Sequence, residues 1–357
     1  MPSSGPGENL RAMQLGLSEN LSALVARRFL AAKDAGHLLF SQTHLTTVNV
    51  AGISYQLRYC PALAKKPSGA PNPNTKAPKP DPFQDPSPDL LIAHIPRDNP
   101  SHLLVLNKFP VIHNHFILAT KSWKPQTDLL EKDDLDAAYA CVTAWDHENS
   151  GKRRLFAFFN SGDDSGASQP HRHLQFLPVE DMLQGGGGEG EGEGEGAWQP
   201  LIDAVAQAQA PGQAEYRRLS QLPFAHFALP IPPDPSPETL HSIYLSLYRA
   251  ALAAAAVDRE RHTAGPAAVS YNLAMTASTM MICPRKSESA RIPVDSAASR
   301  EVVEAGLVSL NGTLLAGTLM VKAEAEWDEL RRNPETLARV LEAVGYPHPE
   351  LRGGSLL

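Results

Sequence analysis

The chain of 357 residues contains little cysteine, no excess of basic charge and no long apolar run. Its three cysteines, Cys60, Cys141 and Cys283, lie far apart and form no Cys-x-x-Cys pair, so neither a disulfide framework nor a thiolate zinc site is expected. No stretch reaches the roughly 18 uninterrupted apolar residues of a membrane-spanning helix. The first 15 residues also lack the basic and apolar segments of a secretory signal. We therefore expect a protein of the cytoplasm, with the nucleus as an additional location, and no membrane partner.

The net charge of −7 argues against nonspecific binding of nucleic acid. Four of the negative charges lie in the run GGGGEGEGEGEG at residues 185–196, and without them the net charge would be −3. Glycine and glutamate bury too little apolar surface to order such a run, so we expect a flexible linker over residues 185–197. An anionic ligand would have to be bound by local lysines, arginines and backbone N–H groups.

The spacing of apolar residues predicts an α+β fold, with a mostly antiparallel sheet covered by helices. Helical spacing occurs over residues 20–35, 133–148, 198–209 and 237–256. Alternation predicts a hairpin over 47–59 and strands over 102–107, 114–120, 153–160, 171–177, 268–275, 279–283 and 314–322, before a helical tail. Eleven prolines between residues 61 and 100 predict a long extended loop. The linker then separates an N-terminal part, residues 1–184, from a C-terminal part, residues 198–357.

The candidate catalytic residues lie in the run NSGDDSGASQPHRHLQF, residues 160–176. It places a turn rich in glycine and serine between a buried strand and a strand that alternates polar and apolar residues. Since alternate side chains share a face of a strand, His171, His173 and Gln175 should project together, and Arg172 should point to the other face. The turn should offer backbone N–H groups to an anion. The expected anion-binding residues are Asn160, Ser161, Gly162, Gly166, Ala167, Ser168 and Gln169.

A neutral imidazole is a nucleophile at physiological pH, so His173 could attack the phosphorus of a phosphate bound at the turn. If that phosphate belongs to a nucleotide, the product would be a nucleotidyl-histidine, and such an intermediate divides one difficult step into two. His171, two residues before His173, would orient the attacking ring by fixing its tautomer, directly or through the backbone.

The motif HRHLQF resembles the transferase form of the histidine-triad signature, His-x-His-x-Gln. With NSGDDSGASQP before it, NKFPVIHNHFILATK upstream and SYNLAMTASTMMICPR downstream, the chain resembles fungal diadenosine tetraphosphate phosphorylases, also called ATP adenylyltransferases. The resemblance implies a histidine-triad-like fold that forms one unit across both halves. It also implies phosphorolysis of diadenosine tetraphosphate (Ap4A) to ATP and ADP, with His173 as nucleophile. Gln175 occupies the position of a third histidine in hydrolases of the superfamily and would favour transfer to phosphate over attack by water.

The resemblance also implies substrate contacts outside the central motif. Asn107 and Lys108 would contact ribose and phosphate, and Lys66, with Lys65 as its rival, would lie at the polyphosphate end. Contacts to the distal nucleotide or phosphates are expected from the downstream block, at Asn272, Thr276, Ala277, Ser278, Arg285 and Lys286. His115 is expected to pack behind the site, His113 to be uninvolved and Lys322 to be a weak candidate.

Two alternatives from the same superfamily or fold class stay open. A nucleotide-sugar uridylyltransferase would share the His-x-His-x-Gln chemistry, and a nucleotide-binding protein would share the site without turnover. A cupin-like metal site at His171 and His173 fits poorly, because Glu180, the next carboxylate, lies seven residues beyond His173. We expect no metal bound by the protein alone, a divalent cation such as Mg²⁺ accompanying the polyphosphate, inorganic phosphate as second substrate and a monomeric chain.

Overall fold

The computed structural model describes residues 15–65, 80–185, 198–208, 215–258, 263–294 and 303–348. Its main feature is an eight-stranded sheet in the order β3-β4-β5-β7-β6-β9-β10-β8, in which every neighbouring pair is antiparallel. The strands of this sheet are β3 (Leu91–Ile95), β4 (His102–Leu106), β5 (Phe116–Thr120), β6 (Leu155–Ser161), β7 (His173–Pro178), β8 (Phe227–Pro230), β9 (Ser270–Met275) and β10 (Thr279–Arg285).

Two smaller sheets complete the β-structure. In one, β2 pairs with β1 in an antiparallel hairpin and with β13 in parallel, so that the N-terminal and C-terminal parts meet. The other is a two-stranded antiparallel sheet of β11 and β12. These strands are β1 (His44–Val50), β2 (Ile53–Tyr59), β11 (Ser289–Val294), β12 (Val303–Ser309) and β13 (Thr318–Val321).

Seven α-helices lie in the described part of the chain. The longest, α5, begins where the Ser236 hydroxyl accepts a hydrogen bond from the Thr239 N–H at 3.2 Å and proline occupies the first helical position. The helices are α1 (Leu21–Asp34), α2 (Lys132–Glu148), α3 (Val179–Met182), α4 (Leu201–Gln207), α5 (Pro237–Ala254), α6 (Glu324–Arg332) and α7 (Thr336–Val344). Short 3₁₀ turns occur at Pro61–Lys65, Asp163–Ser165 and Gly312–Ala316.

The two faces of the large sheet are covered differently. Helices α1, α2 and α5 pack against one face, where strand residues such as Leu174 and Phe176 join the largest apolar cluster. On the other face, the end of the sheet formed by strands β6, β9 and β10 packs against β2, β13 and α7. The β4 and β5 end carries a small cluster around Phe83. The polar residues of the site lie on this second face, between the two apolar clusters.

The predicted α+β architecture, with an antiparallel sheet covered by helices, is confirmed. The extended loop predicted for residues 61–100 is wrong at β3, because the apolar run from Leu90 to Ile95 pairs with β4 despite its proline-rich surroundings. The pairing of β6 with β9 carries one sheet across both halves of the chain. The predicted linker falls almost wholly in residues 186–197, outside the described residues. No helix in the described ranges has the length and apolar character to cross a membrane.

Candidate active site

The glycine- and serine-rich turn connects β6 to β7 at one end of the sheet. Gly162 and Gly166 both have positive φ angles, +84° and +78°, a conformation that side chains with a Cβ disfavour. A Cβ on Gly166 would also lie 2.8 Å from the Cβ of Asn311 and 2.9 Å from the carbonyl oxygen of Leu310. The turn is therefore held closely against the segment that follows β12. Among the described residues, no acceptor bonds the backbone N–H groups of Ala167, Ser168 and Gln169, which leaves three donors for an anion.

The two histidines and Gln175 lie on one face of β7, as predicted. His173 pairs with Ala119 of β5, and Gln175 pairs with Ile117, on the face that carries the Phe83 cluster. Arg172 points the other way, where its Nη1 donates to Asp134 Oδ2 at 2.8 Å and Glu131 Oε1 at 2.9 Å. The buried ion pair thus anchors Arg172 on the opposite face of the sheet, and with it the backbone between the two histidines.

The tautomer of His173 is set by the backbone. Its Nδ1 lies 2.8 Å from the carbonyl oxygen of His171, and since a carbonyl only accepts, Nδ1 carries the proton. In the neutral ring, Nε2 then holds the free lone pair, and it has no hydrogen-bond partner among the described residues. Burial lowers the pKa of His173 to about 4. The ring is therefore neutral at physiological pH, as a nitrogen nucleophile must be.

The side chain of Gln126 holds the two central strands where their regular pairing stops. The β6–β7 ladder runs only as far as the pair of Phe158 and Gln175. Two pairs further on, Gln126 Oε1 accepts from the His173 N–H at 2.7 Å. Its Nε2 donates to the carbonyl oxygens of Asn160 at 2.7 Å and His173 at 3.2 Å. A buried side-chain amide thus replaces the missing ladder hydrogen bonds at the nucleophile.

Gln175 is oriented by a chain of polar groups that runs away from His173. Its Oε1 lies 3.0 Å from Nε2 of His115, and Nδ1 of His115 lies 3.1 Å from the Asn107 amide nitrogen. Because the Asn107 amide donates to Nδ1, Nε2 of His115 carries the proton that Gln175 accepts. The NH₂ group of Gln175 has no acceptor among the described residues and can donate to a phosphoryl oxygen.

A short segment before β3 covers the histidines. The ring of Phe83 lies 5.7 Å from that of His171 and 5.2 Å from that of His173, measured between centroids. Oδ2 of Asp81 lies 2.6 Å from Nδ1 of His171. As a result His173 is only 2% exposed.

Comparison with known proteins places the chain in a family. A family model for the Ap4A phosphorylase N-terminal domain matches residues 12–186, and one for the ATP adenylyltransferase C-terminal domain matches residues 220–347. The chain belongs to the Ap4A phosphorylase family. Relatives in Saccharomyces cerevisiae include Protein APA1, 28% identical over 94% of this chain and 97% of that protein. Another is diadenosine 5',5'''-P1,P4-tetraphosphate phosphorylase 2, 27% identical over 93% of this chain and 96% of that protein.

Solved structures of the family share the fold. The crystal structure of yeast Ap4A phosphorylase Apa2 superposes with a TM-score of 0.71, and that of its complex with Ap4A with a TM-score of 0.72. Both are 24% identical in sequence and cover 93% of this chain and 99% of theirs. The histidine-triad-like architecture expected from the motif is consistent with this likeness.

Several residues predicted as substrate contacts bond to one another within the fold. Asn160 accepts hydrogen bonds from the Asn272 amide at 2.9 Å and the Gly312 N–H at 2.8 Å. Arg285 is 1% exposed; its Nη1 donates to Asn272 at 2.5 Å, and its Nη2 donates to backbone carbonyls that include that of Leu310. This buried network ties the turn to β9 and to the segment after β12. Its donors bond within the protein and support the turn, and substrate contact by these three residues stays a prediction.

The predicted contact residues Thr276, Ala277 and Ser278 lie further from the histidines. These residues form the turn between β9 and β10, four residues beyond Asn272, which pairs with Asn160 beside the nucleophile. At about 3.3 Å per residue the turn lies roughly 13 Å further along the sheet. There the Tyr139 hydroxyl of α2 donates to the Ala277 carbonyl at 3.0 Å. The turn therefore lies at the end of the sheet opposite the glycine- and serine-rich turn.

The remaining predicted residues differ in exposure. Ser161 is fully buried, and it alternates with Asn160 along β6, so it faces away from the histidines. Lys108 and Lys286 are exposed at the ends of strands. Lys66 lies outside the described residues. The sequence alone predicts no role for Gln126 or Asp81. Neither residue belongs to a recognisable motif, and only the folding of the chain brings them to the histidines.

Proposed function

We propose that the protein catalyses phosphorolysis of diadenosine tetraphosphate by inorganic phosphate, giving ATP and ADP, through an adenylyl group carried on His173. The observation that supports this best is the fixed tautomer of His173, whose Nδ1–H donates to the His171 carbonyl and leaves Nε2 as the nitrogen for attack. The substrate is inferred from membership of the Ap4A phosphorylase family.

In the first step, Nε2 of His173 forms a bond to an α-phosphorus of the substrate, and the bond from that phosphorus to the bridging oxygen breaks. ATP leaves with the electron pair of the broken bond, and AMP stays on the ring. The free N–H groups of Ala167, Ser168 and Gln169 lie in the turn just before the histidines. They are suited to hold the negative charge that develops on the phosphate oxygens.

In the second step, an oxygen of inorganic phosphate forms a bond to the same phosphorus and the P–N bond breaks, which gives ADP and restores the neutral ring. Gln175 contributes an amide in this step, and an amide donates to phosphoryl oxygens but does not relay a proton. Water attacking the intermediate must lose a proton, whereas a phosphate oxyanion need not. Gln175, fixed through His115, therefore favours phosphate over water.

A divalent cation such as Mg²⁺ would enter with the polyphosphate, whose oxygens are the hard ligands it prefers. In the described part of the chain no group of three carboxylates, histidines or cysteines is placed to hold a metal ion. The cation is thus proposed as part of the substrate complex.

Product analysis tests the proposal. The purified protein is incubated with Ap4A and Mg²⁺, with and without phosphate, and the nucleotides are separated by ion-exchange chromatography. With phosphate we expect ATP and ADP in equal amounts; without it we expect one ATP per enzyme and no sustained turnover. Equal sustained turnover to AMP under both conditions would show a hydrolase and would contradict the proposal.

A further inference from the structure

Asp81 is the only carboxylate in the described residues that bonds either of the two histidines of the motif. Its Oδ2 lies 2.6 Å from Nδ1 of His171, which is shorter than an ordinary N–H···O hydrogen bond of about 2.9 Å. Its other oxygen, Oδ1, accepts from the Phe83 N–H at 2.9 Å. Each oxygen of the carboxylate therefore has its own hydrogen-bond partner, and the orientation of the carboxylate is fixed.

The ring of His171 is held at both nitrogens. A carboxylate accepts, so Nδ1 carries a proton toward Asp81, and Nε2 lies 3.0 Å from the Thr120 hydroxyl. The backbone carbonyl of the same residue accepts from Nδ1 of His173 at 2.8 Å. Asp81 is thus joined to the nucleophile through one intervening residue.

Phe83 anchors the segment that carries Asp81. Its side chain is 4% exposed and packs with Leu103, Val105 and Ala119 on the face of the sheet that carries His173. The backbone N–H of the same residue bonds Asp81. Apolar burial and a hydrogen bond therefore place the carboxylate against His171, although Asp81 itself belongs to no strand or helix.

Adenylyl transfer places a positive charge on the ring of His173, which a nearby negative charge would stabilise. Nδ1 of His173 is protonated before attack, so bonding of Nε2 to phosphorus makes the ring cationic. Burial opposes a positive charge there and lowers the pKa of His173, whereas the charge of Asp81 acts in the opposite direction and raises it. No other carboxylate among the described residues is hydrogen-bonded to this pair of rings.

We propose that Asp81 is a positioning residue for adenylyl transfer. Its carboxylate fixes the ring of His171 and supplies the negative charge that balances the cationic, adenylylated ring of His173. The proposal rests on the function proposed above and adds a residue that acts through His171.

The test replaces Asp81 by Asn, which keeps an acceptor of the same shape and removes the charge. The matched control is Asp85→Asn, the same change in the same segment at an exposed position. We expect Asp81→Asn to lower kcat for phosphorolysis about 10- to 100-fold, the range observed for carboxylates that orient metal-bound histidines in the same way. KM for the dinucleotide and the melting temperature should stay at the wild-type values, and Asp81→Glu should regain part of kcat. Asp85→Asn should match the wild type throughout.

A second readout does not depend on turnover. In protein labelled with ¹⁵N at histidine, NMR without substrate should show Nδ1 of His171 protonated and hydrogen-bonded, with this signal lost in Asp81→Ala. An active wild type with Asp81→Asn as active as Asp85→Asn would overturn the proposal, and so would a change in KM alone. A wild type without phosphorolysis but with the expected NMR signals would instead reject the proposed function.

Discussion

Replacing Gln126 by Leu should remove the hydrogen bonds that join β6 and β7 at His173. Gln126 is 3% exposed, and its side chain makes three hydrogen bonds, all to the backbone of Asn160 and His173. Leucine has a similar volume but leaves the His173 N–H unpaired, at a cost of about 1–3 kcal/mol. The two carbonyl groups each lose a bond that contributes about 1 kcal/mol. We therefore expect the free energy of unfolding to fall by about 3–5 kcal/mol.

The catalytic effect should be larger than the loss of stability suggests. A shift of about 1 Å in a reacting group can cost about 100-fold in rate, so we expect kcat to fall about 100-fold in the folded variant. Gln56 provides the matched control, because it is 1% exposed, donates to the Met182 carbonyl at 3.1 Å and accepts from the Thr318 hydroxyl at 3.0 Å. Gln56 lies in the three-stranded sheet, away from the histidines.

Urea unfolding and steady-state phosphorolysis, measured on both leucine variants, separate the two effects. Both variants should lose stability by similar amounts, and only Gln126→Leu should lose kcat. If Gln126→Leu kept wild-type kcat, or if Gln56→Leu lost as much, the amide of Gln126 would have no special part in placing His173.

Two further predictions concern the turn and the pH dependence. Gly166→Ala should lower the free energy of unfolding by about 1–3 kcal/mol more than Gly36→Ala, because forced overpacking costs about that much. The two glycines have nearly equal φ angles, +78° and +77°, but only a Cβ at Gly166 would meet neighbours within 4 Å. Equal losses in urea unfolding would show that the turn relaxes at little cost. Burial lowers the pKa of His173 to about 4 and that of His226 to about 3. Both lie below the value of about 6.5 in an unfolded chain. Their contribution to stability should therefore be complete above pH 6.5 and be lost as the pH falls toward 4, as urea titrations at several pH values would show. The rate of adenylyl transfer should likewise hold to about pH 5, and an acid limb at pH 6.5 would indicate a solvated ring.

The sequence predicts best where a pattern is local. Alternation along residues 171–177 correctly placed both histidines and Gln175 on one face, because a strand has a fixed period of two residues. Helical spacing likewise predicted α1, α2 and α5 to within three residues at either end. β3 was missed because its apolar run is short and lies among prolines, and only its pairing with β4 makes it a strand.

Contacts between distant segments could not be predicted in the same way. Gln126 and Asp81 lie 47 and 90 residues from the groups that they bond, and nothing in their neighbouring residues indicates those partners. Arg285 had the charge expected of a phosphate ligand, yet the fold surrounds it with carbonyl groups. Composition shows which groups could bind an anion, whereas burial decides which of them remain free to do so.

Mass spectrometry of the quenched enzyme tests the central claim most directly. The protein is mixed with Ap4A and Mg²⁺ in the absence of phosphate, quenched at alkaline pH because a phosphoramidate is labile in acid, and digested. We expect one adenylyl group per chain, located on the peptide that contains His173 and lost on brief acid treatment, with one ATP released per adenylyl group. An adenylyl group on another residue, or ATP release with no modified peptide, would contradict attack by His173.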